Sequence, residues 1–143
     1  MPFIDLNITD GAAAGDATVT FTAVCPTSVS LGDVVYVSGD KTGGMYQVDK
    51  VDITSFLKMP AAGVVIQKLT STTAVIMCNG EVTGIYGSLT PGKTYFADSN
   101  ARLSSTAPGS PSTGVQFVQA IAYSLASDTL FIRVHKPLVR VSN

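Results

Sequence analysis

Apolar and polar residues alternate with a period of two along most of this chain, which is the signature of half-buried β-strands. Val19, Phe21 and Ala23 alternate with Thr18, Thr20 and Thr22, so a strand is predicted over 17–24. Further strands are predicted at Val34–Ser38 and Met45–Val51, joined by the glycine-rich turn 39–44 (GDKTGG), and at Val64–Leu69, Thr73–Cys78 and Glu81–Ile85. Asn79-Gly80 tolerates the positive φ angles of a two-residue turn, which predicts a hairpin pairing Thr73–Cys78 with Glu81–Tyr86. A last hairpin is predicted from Val115–Ser124 and Thr129–Val134 around residues 125–128. One helical turn is expected at 54–58, capped by Asp52 or Thr54 and ended by Pro60.

The two ends carry apolar alternation of their own. Phe3, Ile4, Leu6 and Ile8 are followed by GAAAG at 11–15, a small-residue hinge. Residues 1–16 therefore read either as a plain first strand and turn or as an arm that reaches a neighbouring subunit. At the other end, 135–143 contains Lys136-Pro137-Leu138-Val139-Arg140-Val141, whose proline forbids a central-strand position and suits an edge or intersubunit strand. Partner contacts are assigned to these two segments: Phe3, Ile4 and Leu6 in the arm, and Leu138, Val139 and Arg140 in the tail. Residues 104–114 (SSTAPGSPSTG) have no apolar anchor and should form the most exposed and mobile loop.

Between the ends, one pattern occurs twice. A Leu and a Gly lead into a β-rich run around a Tyr (Leu31, Gly32, Tyr36; Leu89, Gly92, Tyr95), a Gly opens an apolar strand (Gly63; Gly114), and a Thr opens the closing strand (Thr73; Thr129). A supersecondary unit used twice explains such self-similarity. The expected organisation is an arm at 1–16, a duplicated β domain at 17–134 with units near 17–83 and 84–134, and an extended tail at 135–143. The fold class is all-β, with two related small barrel-like or sandwich-like units built from short strands and hairpins.

Composition narrows the function. The chain has 143 residues, enough for one domain with a real core. Nine basic residues against ten acidic ones leave no basic footprint for nucleic acid or an anionic membrane. Charged residues are 13% of the chain where about 25% is ordinary, while 45% are apolar, so part of the apolar surface should be covered by other chains. Nothing approaches the roughly 20 apolar residues of a membrane span or resembles a signal peptide, which points to synthesis in a cytoplasm.

No motif carries catalysis. His135 is the single histidine and has no nucleophile motif beside it. Asp49 with Asp52, and Asp5, Asp10 and Asp16, match no calcium-loop spacing and read as turn carboxylates. GDKTGG lacks the order of a phosphate loop and precedes a strand. Cys25 and Cys78 lie in apolar runs without CxxC spacing, so they read as buried thiols, with a disulfide between them as the alternative. No catalytic, cofactor-binding or metal-binding residue is assigned.

Residues 59–134 contain three segments, MPAAGVVIQKL, NGEVTGIYGSLTPGKTYFADSNARLS and VQFVQAIAYSLASDTLFIRV, that resemble the β-rich module of bacteriophage virion proteins. Capsid decoration (cement) proteins and some tail-fibre-associated proteins carry it. The most specific element is Leu89-Thr90-Pro91-Gly92-Lys93-Thr94-Tyr95 followed by the Pro-rich loop; Gln119-Ala120-Ile121-Ala122 departs from the V-G-x-A that family members often have there. The resemblance implies a virion structural protein on the outer capsid surface, bound to the major capsid protein, self-associating as a homotrimer and without enzymatic activity. A tail or tail-fibre component is the second reading, and a host-glycan-binding module the third. The chain lacks a collagen-like repeat, a heptad or a long shaft, which favours cement over fibre.

Overall fold

A computed structural model describes residues 18–142. The Thr- and Val-rich segments form β1 (Val19–Val24), β2 (Val34–Thr42), β3 (Met45–Lys50), β4 (Gly63–Thr70), β5 (Thr73–Thr83), β6 (Thr94–Ala97), β7 (Leu103–Ser104), β8 (Val115–Val118), β9 (Ala120–Ala126), β10 (Thr129–Arg133) and β11 (Leu138–Val141). The fold is all-β. Among the described residues the helical element is a 3-10 turn, Phe56–Lys58, capped by Ser55, whose Oγ accepts from the Leu57 N–H at 3.2 Å. Neither expected cap serves. The Asp52 carboxylate instead accepts from the hydroxyl and backbone N–H of Thr54 at 2.6 and 2.9 Å, and these bonds hold it below the usual carboxylate range.

The main sheet runs β1, β3, β2, β4, β5, β10, β9, β6, β7, and β1 pairs a second time with β5. β1 is parallel to β3 at Ala23↔Tyr46 and Val24↔Gln47, and antiparallel to β5 from Val19↔Asn79 to Val24↔Thr73. These pairings close β1 to β5 into a small five-stranded barrel. Outward from the β5–β10 seam the order is β4, β2, β3 on one side and β9, β6, β7 on the other; the strand after Gly114, β8, expected to match the Gly63 strand β4, is not in this sheet. The turns that lead into β2 and β6 do match. Asp33 N–H donates to Ser30 C=O and Lys93 N–H to Thr90 C=O, at 3.0 and 3.1 Å, and each turn places a glycine with positive φ third, Gly32 at 87° and Gly92 at 84°. Among the described residues only the first copy has a closing strand, and the second stays open.

Consecutive residues of the barrel strands serve two cores, because side chains alternate across a strand. Val35, Val65 and Ile76 join Ala23, Cys25, Val29, Val48 and Ala74 in one cluster. Their neighbours Val34, Val64 and Met77 join Leu89, Tyr95, Phe117, Ile121, Leu130 and Ile132 in the other. Burial on both faces explains why these strands read as continuous apolar runs. A polar latch fastens the two copies together. Asp33, 5% exposed, accepts from the Ser30 N–H at 2.8 Å and from Arg102 Nη1 at 3.2 Å. Arg102 also donates to Leu31 C=O at 2.8 Å and lies 4.8 Å from the Tyr86 ring centre. The Tyr86 hydroxyl donates to Gly32 C=O at 2.6 Å and accepts from Leu103 N–H at 3.1 Å. Burial pushes this phenol above its ordinary range.

Three expectations are corrected. Asn79-Gly80 is no hairpin turn: β5 runs through it, and Asn79 stands opposite both Val19 and Arg133 where the strand passes from the barrel to β10. Gly80 has φ 138°, and a Cβ there would come within 3.2 Å of the Thr18 side chain, so the glycine serves a close crossing. Val115–Ser124 is not one strand either. It divides at Gln119, and β8 leaves the main sheet to pair with the tail. Finally, β2 continues to Thr42 through a bulge near Gly39, which leaves Gly43-Gly44 alone as the turn. Both cysteines are free, Cys25 buried and Cys78 half-buried, and burial raises the Cys78 thiol pKa.

Candidate interaction surface

Gln119 is the side chain that shapes the end of the molecule where the tail lies. It is 1% exposed, and a buried amide must find partners. Its Oε1 accepts from Ala61 N–H at 2.8 Å, and its Nε2 donates to Ala61 C=O at 3.3 Å and to His135 C=O at 2.7 Å. His135 N–H in turn donates to Ala120 C=O at 3.0 Å. One side chain therefore ties the loop after the 3-10 turn to the start of the tail. β8 is held on the segment before that turn through its Phe117 N–H, which donates to Ile53 C=O at 2.7 Å.

On this support sits a two-stranded ribbon. β11 is antiparallel to β8, with Leu138↔Val118, Val139↔Phe117, Arg140↔Gln116 and Val141↔Val115. β8 is rooted in the core through Phe117 and Val118, yet every residue of β11 is exposed. Leu138 is 69% exposed, Val139 44% and Val141 62%, and they occupy both faces of the ribbon. Beside it the Phe56 ring meets Phe117 edge-on, with centres 5.4 Å apart, and Phe56 and Leu57 are 64% and 87% exposed. Exposed large apolar groups gathered this way mark a contact surface more often than scattered ones. The Pro-rich loop flanks the ribbon, largely exposed as expected, and Gln116 Nε2 donates to its Gly109 C=O at 2.8 Å.

The hollows of the surface have less to offer. One of 150 Å³ is lined by Thr94, Ala120, Ala122, Tyr123, Arg133 and His135. Another, of 380 Å³, opens beside Cys25, Pro26, Gln47 and Asp49. Among the described residues no group of three His, Cys, Asp or Glu side chains is placed to hold a metal ion. No described helix is long and apolar enough to cross a membrane.

Of the contact residues expected from sequence, Leu138, Val139 and Arg140 come together as successive positions of β11. Phe3, Ile4 and Leu6 lie outside the described residues. Sequence reasoning passed over Phe56, Leu57 and Gln119. The first two were legible as apolar residues in a single helical turn, too short to bury a face. Gln119 was legible as the lone polar residue between Val118 and Ala120. No family model matches the chain, and no curated protein or solved structure matches it.

Proposed function

We propose that the protein is a non-enzymatic virion structural protein, a capsid decoration or cement protein that binds the assembled shell and bridges major capsid protein subunits. The observation that carries this reading is the apolar ribbon and turn, Phe56, Leu57, Leu138, Val139 and Val141, presented on a body whose own cores are closed. The virion-module resemblance of Leu89–Tyr95 and the segments around it names the class of assembly. A low charge suits a protein that works against other chains. Stabilisation would follow from mass action: a ligand that binds the assembled lattice and not free subunits shifts the equilibrium toward the lattice.

The test compares particles with and without the protein. Cement function gives high copy number on the head, density between capsomers by cryo-electron microscopy, and lower heat tolerance when the protein is missing. Replacing Leu57 and Leu138 by Ser should weaken attachment while the circular dichroism of the free protein stays the same. Density confined to the tail, or equal robustness without the protein, sinks the reading.

A further inference from the structure

We infer that β11 is the pairing edge of a two-fold dimer, in which a second copy of this chain adds its own β11 antiparallel to the first. Among the described residues β11 pairs with β8 alone, so its other edge is open. The Ser142 N–H donates to Gly114 C=O at 3.0 Å, one step beyond Val141↔Val115. In an antiparallel ladder alternate residues aim their backbone groups at the same neighbour. Ser142, Arg140 and Leu138 therefore aim at β8, and the N–H and C=O groups of Val139 and Val141 aim outward.

That alternation selects one symmetric register. A dyad through Arg140 would set two guanidinium groups opposite each other, which like-charge repulsion disfavours. A dyad through Val141 leaves the ribbon little to pair with. With the dyad through Val139, each Val139 N–H donates to the C=O of its counterpart, and Arg140 lies across from Leu138 of the other copy, its aliphatic stem over the leucine. This two-fold also keeps the faces of the two ribbons continuous, so the Val139 and Phe56 side of one copy adjoins the same side of the other.

The side chains at that edge are free to meet a second copy. Leu138, Val139 and Val141 are 69%, 44% and 62% exposed, and a paired β11 of the other copy would cover them as cross-strand neighbours. An open edge that is apolar on both faces invites strand pairing, and an isologous contact closes after one partner where a mismatched one propagates. The result is a dimer, in place of the trimer implied by the resemblance. The inference does not rest on the capsid reading, because it concerns the purified protein alone.

Sedimentation velocity at micromolar concentration tests it, with Val139→Pro as the decisive variant. Proline removes the outward N–H and leaves the β8 ladder intact, a substitution that edge strands tolerate. Val139→Lys, which sets two charges face to face at the dyad, guards against a local folding defect in the proline variant. The wild type should be a dimer, and both variants should dissociate at least about tenfold more readily, with unchanged circular dichroism and melting of the barrel. A monomeric wild type, a trimer, or a dimer unaffected by both substitutions overturns the inference. A monomer that captures an extended segment of a shell protein on β11 also overturns it and gives the edge to that partner.

Discussion

Replacing Gln119 by Leu tests the reasoning about how the ribbon is held. The substitution keeps the side-chain volume nearly constant, so it opens no large cavity, but it removes three hydrogen bonds, at 2.8, 3.3 and 2.7 Å. Those bonds serve the N–H and C=O of Ala61, a residue 5% exposed, and the C=O of His135. A net hydrogen bond contributes about 1 kcal/mol, while a buried group left without its partner costs about 1–3 kcal/mol. The Ala61 amide should dominate, since it is buried and has lost its acceptor; His135 is exposed, and water can reach its carbonyl. The expected loss is therefore about 2–4 kcal/mol, a large part of the roughly 5–15 kcal/mol that holds a domain together. Urea unfolding followed by circular dichroism reads it as a lower midpoint at unchanged slope. Amide exchange supplies the second readout. Protection at the amides that face β8, those of Leu138, Arg140 and Ser142, should fall more than protection in β4 and β5, because the tail loses its tether at His135. A loss below about 0.5 kcal/mol would show that the amide does not clamp the tail. A uniform loss with β11 protection unchanged relative to the barrel would show that Gln119 stabilises the core without positioning the tail.

Other outcomes follow from the latch between the copies. Gly32→Ala puts a Cβ 2.8 Å from Arg102 Nη1 at a backbone with φ 87°, and it should cost about 1–2 kcal/mol or more by thermal melting. Asp33→Asn at the same latch keeps the shape but removes the charge that Arg102 faces, and chemical denaturation should show a smaller loss than Asp33→Ala. Tyr86 has its pKa raised above 10.0 by burial, so the folded state holds the phenol proton more tightly than the unfolded state does. The stability this contributes is fully present below pH about 10 and is lost as pH rises through the folded value; melting temperature should fall in that alkaline range, and the fall attributable to this group should vanish in Tyr86→Phe.

The all-β class was legible in the residues themselves. Thr–Val alternation, scarce helix formers and the paired anchors Gly32 and Gly92 each act through local backbone preference, and local preference is what a sequence displays directly. That a glycine turn lies within 39–44 and a single helical turn within 54–58 was readable for the same reason, though the strand before the first runs on to Thr42 and the second spans Phe56–Lys58. What the sequence left open depended on partners far along the chain. Asn79-Gly80 permits a turn, but Val19 and Arg133 on either side of Asn79 keep it in a strand. Barrel closure needs β1 to meet both β3 and β5, and no local pattern records which strands will be neighbours. Gln119 breaks an apolar run because Ala61 and His135, 58 and 16 residues away, satisfy its amide in the folded chain. The tail shows the division most clearly. Its apolar alternation and Pro137 pointed to an edge or intersubunit strand, and only the tertiary structure decided that β8 takes one edge of it and, among the described residues, leaves the other open.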